Sequence, residues 1–195
     1  MRVVINFFHP RFEDSKVNKA LIEAANSFES QLNVRDLYEL YPDFDIDIKE
    51  EQKQLLEADI VILQHPLYWY SCPPLMKQWM DLVLEYGWAY GKNGTFLQGK
   101  RILQVISTGG GLEMYTLEGR HGHTIREFLL PFEQSAILCN MEYLPPLVVP
   151  KANVITDQDT LHFKDLYQYF LEKMIHNDLD FVKCKKIDYL NDLTK

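Results

Sequence analysis

Ile60-Val61-Ile62-Leu63 is an unbroken apolar run without the alternation of a half-buried strand. A short aliphatic run of this kind fits a strand covered on both faces, as in a parallel sheet. Parallel strands need crossover connections long enough to hold a helix, so this one segment constrains what must lie on either side of it. The chain alternates accordingly. Arg2 to Phe8, Asn33 to Leu37, Asp59 to Gln64, Arg101 to Ser107 and Glu142 to Val149 read as strands. Ser15 to Ser30 carries Val17, Leu21, Ile22, Ala25 and Phe28 at helical spacing, and Ile48 to Glu57 is also helical in pattern. Pro74 to Leu84 presents Leu75, Met76, Trp79, Leu82 and Val83 on one face, with Pro73-Pro74 suited to a first turn. Thr124 to Cys139, bent at Pro131, and Asp157 to Ile175 complete the helices. Five strands alternating with helices predict a three-layer α/β/α sandwich around a five-stranded parallel sheet.

The 195 residues, 47% of them hydrophobic, suffice for one domain with a substantial core. Residues 1–176 are expected to form it, leaving 177–195 as a charged C-terminal extension, an appendage or an oligomer contact. A formal net charge of -8 argues against nucleic acid or an anionic membrane surface as a general partner. Cys72, Cys139 and Cys184 are odd in number and widely spaced, which suggests reduced thiols in a cytoplasm rather than a disulfide framework or a zinc site. The N-terminal apolar run is too short for a signal peptide, and no stretch approaches the ~20 residues of a membrane span.

In open parallel sheets ligands bind at the carboxyl ends of the strands. The first strand runs into His9-Pro10-Arg11-Phe12-Glu13-Asp14-Ser15, which opens a helix containing Val17 and Asn18. A helix N-terminus offers free N–H groups to phosphate, and Ser15, Asn18 and His9 add side-chain donors. Taken alone, Ser15 or Asp14 would serve as an ordinary helix cap. Neither a P-loop nor a G-x-G-x-x-G fingerprint is present. The third strand ends in His65-Pro66-Leu67-Tyr68-Trp69-Tyr70, whose rings suit a flat ligand better than a turn. The fourth ends in Ser107-Thr108-Gly109-Gly110-Gly111, where glycine permits close backbone approach. Three such loops converging on one crevice point to a phosphorylated aromatic cofactor. Tyr115 and His121 follow, a phenol and an imidazole able to stabilise charge or relay a proton. His123 beside His121 lacks further residues at ligand spacing, so no metal site is assigned.

These residues resemble a known family. His9-Pro10 with Ser15-x-x-Asn18, His65 to Tyr70 with Pro73-Pro74-x-x-Lys77-x-Trp79, Gly87-Trp88-Ala89-Tyr90-Gly91 and Ser107-Thr108-Gly109-Gly110 are similar to the flavodoxin-like NAD(P)H:quinone oxidoreductases. The bacterial branch of that family includes ancillary subunits of glutathione-regulated potassium efflux and general stress proteins. The resemblance covers Val3 to Val149. It implies a flavodoxin-like strand order, 2-1-3-4-5, and a cytoplasmic homodimer that passes hydride from NAD(P)H through a flavin to a quinone by ping-pong kinetics. The flavin implied is FMN, with FAD the alternative left open by the tail. His9, Ser15, Val17 and Asn18 would hold its phosphate region, Pro66, Leu67, Tyr68 and Trp69 would line its ring, and Ser107, Thr108, Gly109 and Gly110 would meet its polar edge. Tyr115 and His121 match residues that sit by the flavin and stabilise its reduced form. Trp69, Tyr70 and Tyr90 would stack on nicotinamide or quinone, Tyr90 from the other subunit. Azo- or nitro-group reduction and a regulatory role docked on a membrane potassium-efflux protein, at the inner face of the cell membrane, are the competing functions. Gly111-Leu112-Glu113 departs from the smaller, more polar stretch expected there.

Overall fold

A computed structural model describes residues 1–28 and 31–194. Strands β1 (Val3–Phe7), β2 (Leu32–Asp36), β3 (Ile60–Pro66) and β4 (Arg101–Ser107) form the body of one sheet, closed at its far edge by β5 (Glu142–Tyr143) and β6 (Leu147–Val149). The order is β2-β1-β3-β4-β5, β6 also pairs with β4, and every pairing is parallel. Ile5 of β1 lies between Val34 of β2 and Ile62 of β3, and Leu63 of β3 lies opposite Gln104 of β4. All seven residues of β3 are buried, as its lack of alternation requires.

Successive strand residues point into opposite layers. Val4, Phe8, Val61, Leu63 and Ile106 pack with α3 (Ile48–Glu57), α4 (Pro74–Val83) and α6 (Leu130–Leu138). Val3, Ile5, Ile60, Ile62 and Val105 face α1 (Lys16–Asn26) and α7 (Asp157–Ile175). Each such side chain, fully removed from water, contributes about 1.5–3 kcal/mol against the entropy of ordering it.

Several boundaries differ from the sequence reading. The expected strand Glu142 to Val149 is split into β5 and β6, because Pro145 and Pro146 have no N–H to give the ladder. The helix expected from Thr124 to Cys139 is two, α5 (Ile125–Phe128) and α6, since Pro131 cannot donate to the carbonyl of Glu127. The second strand stops at Asp36, whose carboxylate accepts the N–H groups of Tyr38 and Glu39 and so starts the short α2 (Leu37–Leu40). The first helix ends at Asn26, and the last two residues assigned to it, Glu29 and Ser30, lie outside the described residues.

The C-terminal segment contains α8 (Phe181–Cys184) and packs along the β5–β6 edge, burying Leu179, Cys184 and Leu190 in the same layer as α1 and α7. Among the described residues no helix is long and apolar enough to cross a membrane.

Candidate functional site

The parallel arrangement brings the carboxyl ends of β1, β3, β4 and β6 to one edge, where a crevice of about 560 Å³ opens. That volume falls in the range of small-molecule and cofactor sites. Its walls are four loops: His9, Arg11, Asp14, Ser15 and Lys16 after β1; Pro66, Leu67 and Tyr68 at the end of β3; Ser107, Thr108 and Gly109 after β4; and Ala152, Asn153 and Ile155 after β6.

The first wall gathers hydrogen-bond donors. Ser15 is the N-cap of α1, its Oγ accepting from the backbone N–H of Asn18 at 3.2 Å and from Asn18 Nδ2 at 3.0 Å. With both acceptor positions taken, the Ser15 hydroxyl hydrogen remains free to donate. Among the described residues no hydrogen bond is made by the N–H groups of Lys16 and Val17, which as the first two helical residues have no partner within the helix. His9 is buried, and its Nδ1 accepts from the N–H of Arg11 at 3.2 Å. Burial pulls the imidazole down to about 4, more than Asp14 raises it, so it is neutral at pH 7 and its proton resides on Nε2 as a further donor. Lys16 adds a cation at the rim, tied to Asp157 at 2.6 Å and to the carbonyl of Ile155.

Val17 and Asn18 stand behind this wall rather than on it. The Val17 side chain is buried in the layer under α1, so only its backbone faces the crevice end of the helix. Asn18 Nδ2 also donates to Ser107 Oγ at 3.2 Å, its Oδ1 accepts from Gln64 Nε2, and Gln64 Oε1 accepts from Tyr167. This buried chain of amides and hydroxyls locks the β1 and β4 walls together.

At the second wall, His65 is fully buried between the carbonyl of Pro66, 2.9 Å from Nδ1, and the amide of Gln104, 2.9 Å from Nε2. Desolvation lowers it to about 4, partly offset by the Pro66 carbonyl. It therefore acts as a neutral strut: Nδ1–H holds the Pro66 carbonyl while Nε2 accepts from Gln104. Beyond it, Ser71 N–H donates to the Tyr68 carbonyl at 2.9 Å, closing a tight turn whose central residues have positive φ, Trp69 at 49° and Tyr70 at 62°. Positive φ at both central positions is the pattern of a type I′ turn, which favours Asn-Gly; two bulky aromatic residues store strain there. The result is an indole held in solvent: Trp69 is 93% exposed.

The third wall is pinned by Thr108, whose hydroxyl donates to the carbonyl of Gly110 at 2.8 Å and whose N–H donates to Val149 at 2.9 Å. A Cβ on Gly109 would stand 3.0 Å from Asn153 Nδ2, and one on Gly110 would stand 2.9 Å from Met114 Sδ. A side chain at either position would press on the Asn153 amide or the Met114 thioether, so glycine keeps this loop tightly packed. Tyr115 is buried against this loop; desolvation raises its phenol, opposed by hydrogen bonds with the Gly110 backbone and the Thr108 side chain. His121 stacks on Tyr115 with centroids 4.4 Å apart, its Nδ1 lies 3.3 Å from Tyr70 Oη, and Phe128 packs against Tyr70 at 4.8 Å. Tyr115, His121 and Tyr70 form one aromatic cluster beside the crevice, joined to it through Gly110 and the Tyr68–Ser71 turn.

Tyr90 is elsewhere in the protomer. It lines a separate recess of about 250 Å³ between α4 and α6, with Lys77, Asp81, Leu138 and Cys139. The sequence reading placed Arg11, Asp14 and Lys16 in the loop after β1 without giving them a binding role, and it passed over Ala152, Asn153 and Ile155. The signal for the last three was positional: they follow the strand paired with β4, at the same sheet edge. Among the described residues no group of three or more His, Cys, Asp or Glu side chains is arranged to hold a metal ion.

A parallel sheet in the order 2-1-3-4-5, with a donor-lined crevice at its carboxyl edge, defines an open, doubly wound α/β fold. Residues 1–172 match the family model described as flavodoxin-like fold, and the chain belongs to that family. It is 42% identical over 176 residues to general stress protein 14 of Bacillus subtilis (strain 168), covering 90% of this chain and all of that one. It is 42% identical over 159 residues to the glutathione-regulated potassium-efflux system ancillary protein KefF of Salmonella newport (strain SL254), covering 82% of this chain and 88% of that one. Among solved structures, general stress protein 14 from Treponema denticola in complex with FMN superposes with a TM-score of 0.83 at 32% identity, covering 92% of this chain and 100% of that one. An NADPH-quinone reductase from P. pentosaceus gives 0.77 at 31%, over 87% and 97%. A chain described as a thermophilic tryptophan halogenase from Streptomycin violaceusniger gives 0.81 at 39%, over 86% and 97%.

Proposed function

We propose that this chain is an FMN-dependent oxidoreductase that takes hydride from NAD(P)H and passes two electrons to a quinone or a similar electrophilic acceptor. The observation that carries the reading is the crevice itself, with unpaired helix donors at one end, a close-packed glycine loop at another and an aromatic turn at its lip. Those walls match the three parts of FMN, a phosphate, a chain and a flat ring, and a 32% identical protein of the same fold is described as an FMN complex. When bound, FMN supplies a ring that can take up hydride and give up two electrons.

The chain's own residues bind, orient and shield. The N–H groups of Lys16 and Val17, the Ser15 hydroxyl and His9 Nε2–H hold the phosphate, with Asn18 fixing Ser15 in place. Pro66, Leu67 and Tyr68 face the ring, and Ser107, Thr108, Gly109 and Gly110 meet its polar edge. Tyr115, kept protonated by burial, and His121 present polar groups beside the glycine loop where negative charge develops on reduction. Trp69 and Tyr70 offer ring faces to nicotinamide and then to the acceptor, which share one pocket in turn. The α4–α6 side exposes Leu82, Leu130, Ile137 and Leu138, and a homodimer built on that side would let Tyr90 cap the acceptor pocket of a second copy.

A second reading is favoured by the KefF likeness, over 88% of that protein: an ancillary subunit docked at the inner face of a membrane beside a potassium-efflux protein. The assay separates the two. FMN-loaded protein should oxidise NADH or NADPH with a soluble quinone, giving parallel double-reciprocal lines. No quinone turnover by the isolated protein, with co-purification of a membrane partner, would favour the ancillary role.

A further inference from the structure

The family match ends at residue 172, and residues 177–194 run on past it along the sheet edge. We infer that this C-terminal strap positions the fourth wall of the crevice, with Asn191 as its positioning residue. The inference rests on the FMN reading only for its effect on affinity.

β6 is three residues long, follows two prolines, and meets β4 only through Leu147, Val148 and Val149. An edge strand so short is weakly held from one side. Its other side is occupied by the strap: Val148 N–H donates to Asn191 Oδ1 at 3.0 Å, and Asn191 Nδ2 donates to the Val148 carbonyl at 2.9 Å. The side-chain amide thus replaces a neighbouring strand. Leu190 N–H donates to the carbonyl of Pro146 at 2.9 Å, and its side chain is fully buried, which fixes Asn191 in register.

What β6 does reaches the crevice within a few residues. Val149 accepts from Thr108 N–H, Lys151 turns back at φ 59° to donate to Gly110, and Ala152 N–H donates to Thr108 at 2.8 Å. Asn153 then lies against Gly109. A shift of β6 therefore moves the 150–156 loop and the glycine loop together.

The test compares the wild-type chain, Asn191→Ala and the strap control Lys186→Ala by amide hydrogen exchange without ligand and by quenching of FMN fluorescence. Asn191→Ala should raise exchange at Val148, Lys151, Ala152 and Val154 about tenfold and weaken FMN binding about three- to tenfold, while Lys186→Ala changes neither. Asn191→Asp, which keeps the acceptor and loses the donor, should fall between. Unchanged exchange over 148–154 in Asn191→Ala, or raised exchange with unchanged FMN affinity, would overturn the inference. A wild-type chain that binds no FMN would defeat the flavin reading, and the exchange data alone would then decide whether the strap sets the wall.

Discussion

Trp69 is the residue at which folding and function pull hardest in opposite directions. Its indole contacts little, and its φ of 49° costs about 1–2 kcal/mol for an L-residue that is not Asn, Asp or Gly. Trp69→Asn should therefore stabilise the fold by roughly 0.5–1 kcal/mol in urea unfolding while lowering quinone turnover several-fold; a loss of stability would show that the turn is not strained. Single residues were legible in the sequence where position alone sets their role. Ser15 at a helix start and Gly109 at a strand end are of this kind. Asn18 was legible as a polar group near the phosphate end but not as a strut, because the facing of its amide depends on Ser107 and Gln64, distant in sequence. Tyr115 and His121 were legible as neighbours, whereas their stacking and their link to Tyr70 depend on how the 111–123 loop folds.

Among elements, α1 carries a double duty in the proposed function, since its N-terminus is capped by Ser15 and also turns unpaired N–H groups toward the crevice. Ser15→Ala removes the cap and one donor. It should cost about 1 kcal/mol of stability and weaken FMN binding roughly tenfold, with Ser15→Thr restoring both; calorimetry and fluorescence titration measure the two effects. Normal FMN affinity in Ser15→Ala would place the phosphate elsewhere. The strands and main helices were readable because apolar runs and 3.6-residue spacing persist across them. The exceptions have local causes. Pro145-Pro146 divides an edge strand and Pro131 divides a helix, both through a missing N–H. The strap was not readable as part of the core: Leu179, Cys184 and Leu190 are spaced without period among charged residues, and only the sheet edge they meet gives them a common face.

For the whole molecule, the order of the sheet decides where everything else falls. Because the strands are parallel, all their carboxyl ends meet along one edge, and loops scattered from His9 to Ile155 become walls of one crevice. The fourth of these walls follows β6, whose outer side is held by Asn191 of the C-terminal segment. The most direct test is the visible absorption spectrum of the purified protein after incubation with FMN and removal of free ligand, followed by chromatography of the flavin released on denaturation. The account predicts a yellow protein retaining one FMN per chain. A colourless protein that leaves FMN fluorescence unchanged would contradict it.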